Sequence, residues 1–84
     1  MGEPRVTVYT TQYCGYCRSA KALLTRSGVP FREIDLTDDD DALEAVKRRT
    51  GHFTVPLVFV DDRFVGGYDD LSVLVRTEGA SALL

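Results

Sequence analysis

The chain has 84 residues, 44% of them hydrophobic and 27% charged, which suits one globular domain spanning 1–84 and argues against disorder. Ten basic against thirteen acidic residues give a net charge of −3, so a nucleic-acid-binding surface is not expected. The longest apolar run, Val55 to Val60, is far short of a membrane span, and Met1-Gly2-Glu3-Pro4-Arg5 does not resemble a signal peptide, so the expected compartment is the cytoplasm.

Arg5 to Thr10 alternates and is β-branched, which predicts a strand. From Gly15 to Ser27 the apolar spacing becomes helical, with Cys17, Ala20, Leu23 and Leu24 on one face. Gly28 suits a left-handed cap and Pro30 forbids continuation. Phe31 to Leu36 predicts a second strand, and Thr37 or Asp38 is expected to cap a second helix. Asp38 to Asp41 would sit at the positive end of that helix and Lys47, Arg48 and Arg49 at its negative end, so the helix dipole alone accounts for the charge pattern. Leu57-Val58-Phe59-Val60 predicts a central strand covered on both faces. Asp61-Asp62 is a plausible tight turn into Arg63-Phe64-Val65. A third helix is expected from about Asp69 to Thr77, and Ala80 to Leu84 would form a last apolar turn packed on the sheet. The fold class is α/β, in the order β-α-β-α-β-β-α: a parallel pair joined by a crossover helix, then a hairpin.

There are two cysteines, Cys14 and Cys17, two residues apart. A disulfide closing so short a loop constrains the unfolded chain little, so a structural staple explains the pair poorly. The pair follows a strand and opens a helix, where unpaired backbone N–H groups and the positive dipole end converge on the first sulfur. Thiolates attack disulfides, and a thiol three residues on along the same helical face is within reach of the first. Cys14 is therefore assigned as nucleophile and Cys17 as buried resolving thiol. Arg18 and Lys21 lie on roughly the same face, as tuning charges or as solvated surface cations. A zinc site is the competing reading of the pair, but the chain offers only His52 besides, and structural zinc wants four ligands. His52 itself reads as a surface loop residue.

Two further stations carry chemistry. Pro56 in Thr54-Val55-Pro56 is tolerated at the first position of a strand; alternatively, a cis Val55–Pro56 bond would present the Val55 N–H and C=O to an added backbone. Gly66-Gly67-Tyr68-Asp69-Asp70 joins the last strand to the third helix, where paired glycines allow close backbone approach and the helix N-terminus can take a carboxylate. The alternative is that Asp69 is only an N-cap.

Together, Tyr13-Cys14-Gly15-Tyr16-Cys17, Thr54-Val55-Pro56 and Gly66-Gly67-Tyr68-Asp69-Asp70 resemble the glutaredoxin family of the thioredoxin fold over essentially the whole chain. The resemblance implies a four-stranded mixed sheet flanked by helices and glutathione-dependent thiol–disulfide exchange. It makes glutathione the co-substrate, and disulfide-bonded or glutathionylated proteins the partners of a monomer. It also implies a cis Pro56 and a Val55 paired with the cysteinyl backbone of glutathione beside Thr54. Tyr16 would flank the sulfur, while Gly67, Tyr68, Asp69 and Asp70 would hold the γ-glutamyl end.

Three departures from the family pattern stand out. Gly15 replaces the usual proline between the cysteines, as in members that bind a [2Fe–2S] cluster between two protomers through the first cysteine, here Cys14, and two glutathiones. A cluster carrier or sensor is therefore the alternative function. Cys-Gly-Tyr-Cys also resembles the mycoredoxins, which serve another thiol, and a hydrogen donor to ribonucleotide reductase fed by thioredoxin reductase is a third reading. Thr11 stands where many relatives carry lysine, and no Lys, Arg or Gln lies between Thr37 and Val46 to meet the glycyl carboxylate. Weaker glutathione binding is expected, or a compensating cation such as Lys47 or Arg49.

Overall fold

The computed structural model describes residues 3–84; Met1 and Gly2, which the expected domain includes, lie outside the described residues. The elements run β1 (Val6–Thr10), α1 (Gly15–Arg26), β2 (Phe31–Asp35), α2 (Asp40–Thr50), β3 (Leu57–Val60), β4 (Arg63–Gly66) and α3 (Tyr68–Glu78), followed by a short 3-10 turn, Ala80–Leu83. The four strands form one mixed sheet in the order β2-β1-β3-β4. Strands β1 and β2 are parallel, while β1 pairs with β3 and β3 with β4 antiparallel. This is the expected thioredoxin-like order.

The two-residue period of β1 divides its side chains between two cores. Val6 and Val8 face α1 and α3 and join Ala20, Leu24, Val29, Val58, Leu71 and Leu83 in one buried cluster. Tyr9, on the other face, packs with Leu36, Val46, Leu57 and Phe59 against α2. β3 sends Val58 to the first cluster and Leu57 and Phe59 to the second, so a continuous apolar run is what a strand covered on both faces requires. Leu83 is 1% exposed, and its burial is worth roughly 2 kcal/mol in fixing the final turn to the core.

The helix ends follow from individual residues. Gly28 after α1 and Gly51 after α2 both have φ near +70°, the left-handed cap that glycine adopts without penalty. The start of α2 differs from expectation: the cap is Asp39, whose Oδ1 accepts from the Ala42 N–H at 3.1 Å. Thr37 is engaged elsewhere, donating its hydroxyl to Asp35 and accepting the Gln12 N–H at 2.8 Å. Asp38 consequently lies outside the helix, and only Asp40 and Asp41 occupy its first turn. Among the described residues, no helix is long and apolar enough to cross a membrane.

Candidate functional site

Strand β1 delivers the chain to Thr11–Tyr13, and α1 begins at Gly15 with Cys14 as its N-cap. In that position the Cys14 Sγ takes the role an aspartate or serine oxygen has in other helices, accepting the Cys17 N–H at 3.0 Å. The first turn of α1 contains no acidic residue, so nothing there opposes the positive end of the dipole. Both cysteines are free thiols. Cys14 keeps 8% of its surface exposed and Cys17 only 1%. The first sulfur is thus more covered than an outward-facing nucleophile would suggest, because it is drawn in to the Val55 carbonyl, to which its S–H donates at 3.5 Å.

The Cys17 thiol is pushed up to about 12, first by burial and then by its hydrogen bond to Cys14; the Thr11 backbone and the Lys21 charge pull the other way. Lys21 lies one turn along α1 from Cys17, and its Nζ pairs with Glu33 Oε2 at 2.9 Å. The same oxygen accepts from the buried Thr10 hydroxyl at 2.7 Å, and these two partners hold the Glu33 carboxyl below the usual range. Lys21 is therefore committed to the β2 side of the helix, beside the second cysteine, while Arg18 remains exposed.

The Val55–Pro56 peptide is cis. The Val55 N–H has no hydrogen-bond partner among the described residues, and its carbonyl faces Cys14. Thr54, Val55 and Pro56 form one wall of a cavity of about 220 Å³, completed by Tyr16, His52, Gly67, Tyr68, Asp69 and Asp70. The Tyr16 and Tyr68 rings stand 6.2 Å apart across it. Cys14 adjoins the cavity through Val55. All three sequence stations, from Cys14 to Asp70, therefore meet at one place.

The cap of α3 is Gly67, not Asp69. The Gly67 N–H donates back to Asp70 Oδ2 at 3.3 Å, and the first-turn residues Tyr68, Asp69 and Asp70, whose backbone N–H groups have no acceptor within the helix, line the cavity. Asp69 makes no side-chain hydrogen bond among the described residues and is exposed. Gly66, at φ +134°, has to be glycine: a Cβ there would also run into the Asp70 carboxylate.

One expectation is corrected. His52, read as a surface residue, is half-buried and lines the cavity, its Nε2 3.0 Å from Thr54 Oγ1. Its ring stands edge-on to Phe64, with centroids 5.4 Å apart. Neither Lys47 nor Arg49 lines the cavity. Arg49 lies over the Phe59 ring at 5.2 Å, in a larger, shallow groove of about 740 Å³ that includes Arg5 and Tyr9 but neither cysteine. Among the described residues, no group of three His, Cys, Asp or Glu side chains is placed to hold a metal ion.

The sequence model of the glutaredoxin family matches residues 6–65. A glutaredoxin of Pseudomonas aeruginosa is 42% identical over 81 residues, covering 96% of this chain and 96% of that protein. The solution structure of glutaredoxin from Brucella melitensis superposes with a TM-score of 0.82 at 37% identity, covering 99% of this chain and 91% of that one. The crystal structure of a buckwheat glutaredoxin–glutathione complex superposes with a TM-score of 0.85 at 30% identity, covering 96% and 76%. The chain belongs to the glutaredoxin family and is a thiol–disulfide oxidoreductase with a dithiol motif at Cys14 and Cys17.

Proposed function

We propose that this glutaredoxin-family chain uses glutathione to reduce glutathione mixed disulfides and protein disulfides. The observation that carries the reading is the position of Cys14: an N-cap sulfur bonded to the Cys17 N–H and set against Val55, at the edge of the cavity built by Thr54, Gly67 and Tyr68. The solved buckwheat relative is a glutathione complex, which supports the choice of thiol.

The Cys14 thiolate attacks the glutathione-side sulfur of a mixed disulfide, forming Cys14–S–S–glutathione and releasing the protein thiolate. A second glutathione thiolate then attacks the glutathione sulfur of that intermediate, giving oxidised glutathione and regenerating Cys14. With a protein disulfide, Cys14 forms the mixed disulfide with the protein. Cys17 loses its proton, attacks Cys14 Sγ, and expels the protein's remaining thiolate. Two glutathiones then reduce the Cys14–Cys17 disulfide. In this pose the ligand backbone adds to the free Val55 N–H beside Thr54 and Pro56, and Tyr16 flanks the sulfur. The N–H groups of Tyr68 and its neighbour take the γ-glutamyl carboxylate above Gly67. Asp69 takes the ammonium, since one Asp70 oxygen already holds the Gly67 N–H. The chemistry needs a reducing glutathione pool, which a cytoplasmic location would supply.

The alternative, a glutathione-ligated [2Fe–2S] dimer, has one support: the residue after Cys14 is Gly15, where a Cβ would meet nothing nearer than an Arg18 nitrogen at 3.8 Å, so the turn beside the sulfur carries no bulk. Because Cys17 is 1% exposed, each copy offers one thiolate, and two copies with two glutathiones would supply the four that such a cluster takes. The test is a coupled assay with glutathione, glutathione reductase and a small mixed disulfide. Cys14→Ser should abolish turnover, whereas Cys17→Ser should keep it and lose protein-disulfide reduction. Activity with thioredoxin reductase but not glutathione would overturn the proposal, as would full turnover in Cys14→Ser.

A further inference from the structure

The cavity beside Cys14 has an unusual charge inventory for a site that must hold an anionic ligand. Of the nine residues lining it, Asp69 and Asp70 are acidic, and His52 alone can carry a positive charge. Lys47 and Arg49 lie elsewhere, and Lys21 is paired with Glu33. His52 is also placed to act: its Nε2 is 3.3 Å from where a Cβ on Gly67 would stand, so the ring lies directly over the diglycine bend at the N-terminus of α3. The ring is held there by the Thr54 hydroxyl and by its edge contact with Phe64, and its backbone N–H donates to Thr50 Oγ1 at 3.2 Å.

We infer that His52 supplies the positive charge for the carboxylate bound at the start of α3 and thereby sets the affinity of the cavity for glutathione. This rests on the glutathione reading of the same cavity. The Thr54 hydroxyl can donate to a neutral Nε2 or accept from a protonated one, so the ring keeps its place in both states. The other groups that face it are the carboxylates of Asp69 and Asp70 on α3 and the phenols of Tyr16 and Tyr68. None of these adds positive charge at any pH. A permanent cation would hold its ligand equally at all pH values near neutrality. A protonated imidazole holds an anion better than a neutral one, so affinity here rises as the solution is acidified.

The test is titration calorimetry of the full chain with S-methylglutathione, a thioether that cannot exchange with Cys14 and whose carboxylates are ionised throughout. Binding should be about three- to tenfold tighter at pH 5.5 than at pH 7.5. His52→Gln keeps a hydrogen-bonding group without charge and should bind equally, at the weaker level, at both pH values. His52→Arg should bind at the tighter level at both. Equal wild-type affinity at the two pH values, or a pH shift that survives in His52→Gln, overturns the inference and leaves the glutathione reading standing. No binding at either pH removes the glutathione reading, and this inference with it.

Discussion

Gly66 and Gly67 are neighbours in sequence, yet the structure gives them different work, and single alanines should separate stability from binding. Gly66 has φ +134°, where an L-residue is strained, and its new Cβ would collide with the Asp70 carboxylate that caps α3. Backbone strain of about 1–3 kcal/mol and a lost cap of about 1 kcal/mol put Gly66→Ala at roughly 2–4 kcal/mol. In a domain of this size that lowers Tm by about 10 °C or more. Gly67 has φ −89° and ψ −159°, an extended conformation open to alanine. Its Cβ would stand 3.3 Å from His52 Nε2 and 3.6 Å from the Pro56 carbonyl oxygen, so the imidazole must yield by a few tenths of an ångström. Gly67→Ala should therefore cost less than about 1 kcal/mol in stability. The methyl group would, however, occupy the floor of the cavity between the α3 N–H groups and the ligand. Losing one charge-assisted contact there raises KM for a glutathione mixed disulfide about tenfold, equivalent to roughly 1.4 kcal/mol. Urea unfolding and steady-state kinetics of both variants decide the matter. Equal stability losses in the two, or an unchanged KM in Gly67→Ala, would refute the division.

Two other predictions concern the buried thiol. Burial raises Cys17 to about 12, above the value of an unfolded cysteine, so its contribution to stability is complete below about pH 8.5 and declines as pH rises toward 12. Under reducing conditions the urea midpoint should fall with pH above 8.5 less steeply in Cys17→Ala than in the wild type; parallel slopes would contradict the cause assigned to the shift. Lys21 is the cation that eases ionisation of Cys17, but it is about a third exposed and shared with Glu33, so the attraction is screened to less than about 1 kcal/mol. Lys21→Met should slow protein-disulfide reduction about two- to fivefold and leave mixed-disulfide turnover unchanged, because only the former needs Cys17. An equal loss in both reactions would place the effect of Lys21 on Cys14 or on the fold.

What the sequence made legible was local. The alternation Val6-Thr7-Val8-Tyr9 and the stripe Cys17, Ala20, Leu24 state their own burial, because strand and helix periods are properties of neighbouring residues. The capping role of Cys14 belongs to the same class: a sulfur at the N-cap of a helix meets the N–H three residues on whatever the rest of the chain does. The misplaced cap of α2 shows where locality ends. Thr37 is removed as a cap by Asp35 and by Gln12, whose N–H takes its hydroxyl from 25 residues away, and nothing local separates Asp38 from Asp39, the residue that accepts from Ala42.

The same reasoning explains why Arg49 was expected at the ligand and His52 was not. Arg49 lies in the last turn of α2, the helix whose stretch the family resemblance implies would meet a carboxylate, so proximity in sequence recommended it. Its guanidinium instead lies over the Phe59 ring, which meets Tyr9 edge-on and Phe64 at a tilt, all residues outside α2. His52 carries no local signal, since its significance depends on Gly67, fifteen residues on, having no side chain. A glycine chosen for closeness of approach and the imidazole that fills the space above it are one feature written in two places. That coupling gives the Gly67→Ala and His52→Gln variants a shared signature. Each should weaken S-methylglutathione binding at pH 5.5. Because Gly67→Ala displaces the same ring that His52→Gln neutralises, the double variant should lose less than the product of the two single losses. Fully multiplicative losses would show that the methyl group acts on the ligand without the histidine.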